Sequence, residues 1–219
     1  MRFDIVTIFP EIFDSYFQES LLKRARKKKL IDVRVHNLRD WASDLHKTVD
    51  DKPFGGGLGM VMKVGPIYKA VQRLKKKGTR SKVVLFTPRG TKFNQQKAQE
   101  YTKLNQLIMI CGRYEGVDER VGKYIADEQL SIGDYDLMGG ELPAMILVET
   151  VARLIPGVIG KKEFLKEHVK GGGFMEYPQY TRPETFEIRE KKRITPKVLL
   201  SGNHKKIQEW RAEHGKLIS

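Results

Sequence analysis

The sequence of 219 residues is poor in cysteine and has no long uninterrupted hydrophobic run. Its one cysteine, Cys111, excludes an internal disulfide and favours a reducing compartment. The longest apolar pattern, residues 142–159, contains Glu149 and Arg153 and therefore does not predict a membrane span. Charged residues also interrupt the first apolar positions, so the N-terminus lacks the layout of a signal peptide. We therefore expect a cytoplasmic protein.

Acidic residues are scarce relative to basic ones. The chain has 41 Lys+Arg against 27 Asp+Glu, which gives a formal net charge of +14 and a pI near 9.7. Such an excess favours a polyanionic partner, nucleic acid above all, through phosphate neutralisation and counterion release. The alternative is that basic runs such as 27–29 and 75–77 are simply solvated helix ends. Hydrophobic residues make up 40% of the chain, enough for one large domain with a small appendix.

Strand-like and helical patterns alternate along the first 155 residues. Apolar and β-branched runs predict strands at 2–9, 31–37, 82–87, 106–111 and 125–132. Apolar residues at helical spacing predict helices at 11–29, 65–77, 94–104, 117–123 and 141–155. The alternation predicts an α/β fold with a mostly parallel sheet. We expect Pro88-Arg89-Gly90 to end the strand 82–87, and residues 203–213 to form an exposed basic helix anchored by Trp210.

Three glycine-bearing turns lie between Cys111 and Pro143. Two of them, 112–116 and 132–135, follow strand-like runs, and the third, 138–143, leads into the helix 141–155. Glycine at a strand end lets the backbone approach a ligand closely. Three such turns within about thirty residues predict a site lined by backbone groups, although each alone is compatible with an ordinary tight turn.

A long polar stretch, 38–62, contains four glycines within the segment that we call the lid (residues 48–60). No Gly-Lys-Ser/Thr follows these glycines, and Met62 stands where the last glycine of G-x-G-x-x-G would be, so a nucleotide P-loop is not predicted. A flexible lid that closes over a substrate fits better, with Asp50 and Asp51 as candidate contacts to a base edge.

Six motifs, in order from residue 1 to about 210, resemble the bacterial TrmD family of tRNA (guanine-N1)-methyltransferases. They are DDKPFGGGLGM, CGRYEGVDER, SIGDYDLMGGELPA, ARLIPGV, YPQYTRPE and LLSGNH. The resemblance implies the SPOUT methyltransferase fold, a parallel α/β sheet with a deep C-terminal trefoil knot, in a homodimer whose active site lies at the subunit interface. We expect a catalytic domain at 1–160, a flexible linker at 161–185 and a short basic helical subdomain that binds tRNA at 186–219.

The resemblance also implies a reaction, the transfer of a methyl group from S-adenosyl-L-methionine to N1 of the guanine 3′ of the anticodon in tRNA. The residues that match the family's cofactor-binding loops are Thr87, Pro88, Gly112, Tyr114, Glu115, Ile132, Gly133, Asp134, Tyr135, Asp136, Leu137, Gly139, Gly140 and Pro143. Asp50, Gly59 and Met60 match its contacts to the target guanine. The sequence does not decide whether Mg²⁺ is required. The carboxylates of Glu115, Asp118 and Asp134 could bind a metal, but their spacing does not demand one.

Two catalytic residues follow from the same resemblance. Arg153 matches the family's functional arginine, against the alternative of a salt bridge at a helix end. His168 stands where the family has an aspartate thought to be the base, and a histidine is chemically suited to that role at neutral pH. Glu167 and Glu176 are alternative bases.

Because His168 departs from the family's aspartate, two alternative functions remain. The chain is then a SPOUT protein that binds RNA without catalysis, or one that methylates another base. Family members usually continue well past the LLSGNH helix. We therefore expect either weaker tRNA binding or compensation by the basic excess.

Overall fold

The computed structural model describes residues 1–160, 169–170 and 173–218. The chain forms two compact units, Met1–Lys162 and Glu163–Ser219. The predicted linker at 161–185 stays a prediction, because many of its residues lie outside the described ranges.

The first unit is built on a parallel sheet. Its strands are β1 (Arg2–Thr7), β2 (Asp32–Asn37), the short β3 (Asp50–Asp51) and β4 (Val61–Met62), β5 (Ser81–Lys92), β6 (Gln106–Ile110) and β7 (Glu128–Ser131). Five of them pair in parallel in the order β2-β1-β6-β5-β7. All five residues of β6 are buried, as is typical of a parallel sheet covered on both faces. The predicted α/β class with a parallel sheet is confirmed.

Five helices accompany this sheet. They are α1 (Ser20–Lys27), α2 (Val64–Leu74), α3 (Gln95–Tyr101), α4 (Glu119–Tyr124) and α5 (Glu141–Ala152). Because side chains alternate along a strand, β1 contributes Phe3 and Ile5 to one core with α5 and Val6 to a second core with α2. Helix α5 thus lies on one side of the sheet with its N-terminus after β7.

The structure corrects the prediction of one continuous helical stretch over 11–29. Two 3₁₀ turns, Pro10–Phe13 and Tyr16–Gln18, precede α1. The backbone of Ser20 has φ 47°, a value outside the α-helical range, so the helix cannot extend backwards through it.

The second unit contains strands as well as helices. Strands β8 (Val169–Lys170), β9 (Gly173–Glu176) and β12 (Lys216–Ile218) form an antiparallel sheet, and β10 (Thr185–Ile188) pairs with β11 (Lys191–Ile194) as a hairpin. The helices are α6 (Lys197–Leu200) and α7 (His204–His214). The predicted helix at 203–213 is confirmed, with Asn203 as its N-cap, whereas the strands were not predicted.

Aromatic contacts hold α7 to the segment before the hairpin. The half-buried ring of Trp210 lies 4.3 Å from His214 and 6.3 Å from Tyr180, measured between ring centroids. Arg211 lies over the ring of Tyr177 at 4.8 Å. Trp210 therefore anchors the helix, as the sequence predicts. Over both units, no helix among the described residues is long and apolar enough to cross a membrane.

The prediction that Pro88-Arg89-Gly90 ends a strand is wrong. Strand β5 runs on to Lys92, and its register against β7 shifts so that both Phe86 and Thr91 pair with Leu130. The chain between them leaves β7 and returns to it. Proline lacks an N–H, but the irregularity places Pro88 where no ladder bond is needed. The trefoil knot itself stays a prediction.

This return brings Gly90 against the backbone of β7. A Cβ at Gly90 would lie 2.5 Å from the nitrogen of Leu130 and 2.6 Å from the carbonyl carbon of Gln129. Backbone atoms in a sheet cannot move aside as a flexible side chain can, so only glycine fits there.

We expect Gly90→Ala to lower the free energy of unfolding by at least about 1–3 kcal/mol, because the added methyl group overpacks against β7. Urea denaturation followed by circular dichroism measures the change. Gly65→Ala is the control, since Gly65 lies in α2 with nothing within 4 Å of an added Cβ. Equal stability of the Gly90 variant and the wild type would contradict this account of the β5–β7 contact.

Candidate functional site

A cleft of about 380 Å³ opens beside the irregular stretch of β5 and the carboxyl ends of β6 and β7. In parallel sheets the loops after the strands meet at this edge, which is where ligands usually bind. Twelve of the fourteen predicted cofactor-binding residues line the cleft: Thr87, Pro88, Gly112, Tyr114, Glu115, Ile132, Tyr135, Asp136, Leu137, Gly139, Gly140 and Pro143. The structure thus brings three loops that are distant in sequence to one place. The binding roles of these residues stay predictions.

The two remaining residues, Gly133 and Asp134, do not line the cleft. The ring of Tyr135 packs directly over Gly133, and the Ser131 hydroxyl donates to the carbonyl oxygen of Gly133 at 2.8 Å. The carboxylate of Asp134 pairs with Lys92 of β5 instead of facing the cleft. These two residues shape the loop after β7 without lining the cavity.

The loop after β6 reverses within five residues. Tyr114 has φ 60° and Gly116 has φ 109°, and the amide of Gly116 donates to the carbonyl oxygen of Arg113 at 3.1 Å. A left-handed conformation is uncommon for a tyrosine, so its neighbours must hold it in place. The reversal exposes the ring of Tyr114 at the cleft.

The loop before α5 is fastened to this loop by backbone contacts. The amide of Gly140 donates to the carbonyl oxygen of Gly112 at 3.0 Å. A Cβ at Gly140 would lie 2.6 Å from the Cα of Cys111, so the close approach requires glycine. Two of the three cleft loops therefore share one backbone hydrogen bond.

A buried ion pair reinforces the same junction. The Nε of Arg113 donates to the carboxylate of Glu141 at 2.9 Å, and the hydroxyl of Thr7 donates to the other carboxylate oxygen at 2.7 Å. Glu141 is 1% exposed and lies in the first turn of α5, where a negative charge is favoured by the helix dipole. The guanidinium of Arg113 also lies 4.8 Å from the ring centroid of Phe9.

The sequence reasoning assigned no role to Arg113, Glu141 or Thr7. A carboxylate at the start of a largely apolar helix was the available signal, since a buried glutamate requires a partner. The identity of that partner could not be read from the sequence, because Thr7 and Glu141 are 134 positions apart.

Cys111 has a packing role, since it belongs to the hydrophobic core. It is fully buried, and burial together with the nearby Glu141 carboxylate raises the pKa of its thiol well above the usual value. A neutral, inaccessible thiol is unsuited to nucleophilic chemistry.

The base of the lid is attached to the loop after β6. The amide of Glu115 donates to the carbonyl oxygen of Met60, and the amide of Met62 donates to that of Gly116, both at 3.0 Å. Gly59 lies beside Glu115, whose Cγ would be 2.7 Å from an added Cβ. Two of the predicted guanine contacts, Gly59 and Met60, are thus next to the cleft.

The third predicted guanine contact, Asp50, lies half-buried in β3, opposite Met62. The tip of the lid is open to solvent, with Phe54 and Leu58 fully exposed. A segment with an exposed apolar tip and a firmly attached end is typical of loops that close over a ligand.

Arg153, one of the two predicted catalytic residues, does not line this cleft. Arg153 follows the last residue of α5 and lines a separate, mainly apolar depression of about 560 Å³ with Tyr16, Leu22 and Ile159. At 1.5 Å per residue, the twelve steps from Glu141 to Arg153 span roughly 18 Å. His168 and the alternative base Glu167 lie outside the described residues, whereas Glu176 ends β9 in the second unit.

The cleft is acidic even though the chain is basic. Among the described residues, the carboxylates of Glu115 and Asp136 have no salt-bridge partner, whereas Glu119 pairs with Arg89 at 2.7 Å. Asp118 does not line the cleft, because it is the N-cap of α4. Hydrogen bonds from Arg120 lower the pKa of its carboxyl group. The described part of the chain holds no cluster of three or more His, Cys, Asp or Glu side chains that could bind a metal. The cleft therefore suits a ligand with positive charge.

Comparisons with known proteins agree with this geometry. The family model described as tRNA (Guanine-1)-methyltransferase TrmD matches residues 1–217. The tRNA (guanine-N(1)-)-methyltransferase of Dictyoglomus turgidum is 54% identical over 211 residues, which cover 96% of this chain and 83% of that protein. The enzyme of the same name from Clostridioides difficile is 47% identical over 215 residues, covering 97% of this chain and 91% of that protein.

We expect Glu141→Gln to lower the free energy of unfolding by about 1–3 kcal/mol, since it leaves the half-buried guanidinium of Arg113 without its counter-charge. Hydrogen exchange at the amide of Gly140 should accelerate as well, because the pair stabilises the junction between the two loops. Urea denaturation and exchange measured by NMR report the two effects. Glu149→Gln, an exposed change in the same helix, is the control. If both variants behave alike, the ion pair does not stabilise the junction.

Proposed function

This chain belongs to the tRNA (guanine-1)-methyltransferase family, and from that premise we propose that it uses S-adenosyl-L-methionine to methylate N1 of the guanine 3′ of the anticodon. The chain is a tRNA (guanine-N1)-methyltransferase, as its relatives at about 50% identity over nearly the whole chain are named. The position of the guanine, the cofactor, the cytoplasmic location and the residue roles form the proposal.

The observation that carries the proposal is the convergence of three loops on one acidic cleft. The cofactor is cationic at both its sulfonium and its amino group, which complements Glu115 and Asp136. The apolar residues Phe86, Ile132 and Leu137 in the same wall suit a flat purine ring. Gly112 and Gly140 line the cleft without a side chain, so a ring edge can approach the main chain of these loops closely. The residues present fit the group.

When bound, the cofactor supplies an electrophilic methyl group on its sulfonium. The residues of the cleft bind and orient it: Thr87, Pro88 and the loops 112–116 and 132–140 surround it. The lid, through Asp50, Gly59 and Met60, closes over the guanine and excludes water from the junction. Holding the two reactants in line is the largest contribution that such a site can make.

Methylation at N1 requires the removal of a proton, because guanine carries a hydrogen on N1 at neutral pH. We assign this step to the imidazole of His168, whose ordinary pKa near 6.5 suits a base, with Glu167 as the alternative. The guanidinium of Arg153 stabilises the negative charge that develops on O6 of the base.

The distance between Arg153 and the cleft is explained if the site is shared by two subunits. Four exposed residues recur every three or four positions and therefore lie along one stripe of α5 and its C-terminal end: Leu142, Ile146, Glu149 and Arg153. A twofold axis that sets two α5 helices antiparallel would bring the Arg153 end of one helix to the cleft end of the other. Leu142 is 53% exposed and Ile146 42%, an apolar surface suited to such burial.

We expect radiolabelled S-adenosyl-L-methionine to transfer its methyl group to a tRNA transcript with guanine 3′ of the anticodon. The matched control is the same transcript with adenine at that position, which offers no N1–H to remove. Incorporation with guanine alone supports the proposal. Equal incorporation into both transcripts would point to a different target base, and none in either would contradict the activity.

A shared site predicts complementation between subunits. Arg153→Ala and Glu115→Ala homodimers should each lose methyl transfer, whereas a heterodimer of the two retains one complete site and about half the wild-type rate per dimer. Co-expression with two affinity tags yields the heterodimer for the assay.

The control for this experiment is the heterodimer of Glu115→Ala with Asp136→Ala. Both of its clefts are defective, so its rate should not recover. Failure of the Arg153→Ala and Glu115→Ala heterodimer to recover would place both residues in the site of one subunit. A fully active Arg153→Ala homodimer would assign Arg153 no part in the reaction.

A further inference from the structure

The hairpin of β10 and β11 is exposed along its whole length. All eight strand residues are exposed, and the loop between the strands has only two residues, Arg189 and Glu190, both at positive φ. This is the left-handed turn that matches the twist of a tight hairpin, although it is usually formed by Asn-Gly. The hairpin therefore projects from the second unit as a ribbon.

A two-stranded ribbon with both faces in water is only marginally stable alone. Phe186 is nevertheless 60% exposed and Ile188 49%, on neighbouring outward positions of one strand. Apolar side chains arranged in this way favour a surface that is covered when a partner binds.

The strand register divides the hairpin into two faces of different charge. Phe186 is opposite Arg193, and Ile188 is opposite Lys191, so these four side chains share the face that we call the Phe186 face. The other face carries Glu187 opposite Lys192, and Thr185 opposite Ile194. The Phe186 face thus has two positive charges and no acidic residue, whereas the charges of the other face cancel.

We propose that the Phe186 face is an RNA-docking surface, on which Lys191 and Arg193 contact backbone phosphates while Phe186 stacks on an unpaired base. Aromatic and basic side chains that alternate on an exposed strand surface are the combination that single-stranded RNA requires. The inference rests on the proposed function, which supplies tRNA as the polyanion. A protein partner is disfavoured, since nothing on this face would neutralise its two cations.

Lys191 and Lys192 provide a matched test, because they are neighbours in sequence that project to opposite faces. Fluorescence anisotropy with a labelled tRNA transcript measures the affinity of the full-length variants at several salt concentrations. Lys191→Glu should weaken binding about tenfold and reduce the slope of log K against log salt by about one. Lys192→Glu, with the same change in net charge, should alter the affinity by less than about twofold.

A second matched pair tests stacking. Phe186→Ala should weaken binding about tenfold. Ile194→Ala, which removes an apolar side chain that is also 60% exposed but lies on the other face, should not. The two control variants, Lys192→Glu and Ile194→Ala, should keep the wild-type rate of methyl transfer, whereas Lys191→Glu and Phe186→Ala should raise the KM for tRNA.

The outcomes separate the two proposals. Equal losses for Lys191→Glu and Lys192→Glu, or no loss for either, would overturn the docking surface while methyl transfer by the wild type still supports the proposed function. A change in oligomeric state with unchanged tRNA affinity would assign the face to a second copy of the chain. A wild-type protein that neither binds nor methylates tRNA would overturn both.

Discussion

The buried carboxylate of Glu141 is the contact on which the rest of the site depends. One of its oxygens accepts from Thr7 at the end of β1, and the other accepts from Arg113 in the loop after β6. Since Glu141 also begins α5, three elements of the first unit converge on one charge. A buried charge with two partners is costly to disrupt, so the loops are held in one arrangement before any ligand arrives. Rigid support of this kind is what a site built from main-chain groups requires.

The net positive charge of the chain and the acidic groups of its cleft act over different distances. Its net charge of +14 attracts a polyanion at long range, whereas the cleft presents Glu115 and Asp136 at short range. A uniformly basic protein would repel a cationic methyl donor and an acidic one would repel tRNA. Confining the acidic groups to a concave wall allows one molecule to accept both, because salt screens the distant charges more than those within the cleft.

Most of the sheet could be predicted from the sequence because its signals are local. Runs such as 107–110 are apolar throughout, and Asn94 and Asn203 mark helix starts with their own side chains. What could not be predicted depends on distant partners. Strand β5 passes through Pro88 and Gly90 because β7 lies beside it, and the hairpin at 185–194 lacks the usual Asn-Gly turn signal. Similarly, the glycine loops were evident in the sequence, but the ion pair beneath them was not.

Strand β1 is synthesised long before one of its two partners in the sheet. Strand β1 pairs with β6, and the partner of Arg2 in that strand is Gln106, about 100 residues later in the chain. At roughly 5–20 residues per second, Phe3 and Ile5 remain without that neighbour for about 5–20 seconds. During this interval β2 is the only parallel partner that β1 has in the sheet, and its other edge is open to foreign strands. Nascent chains of this enzyme are therefore most vulnerable to aggregation before β6 emerges.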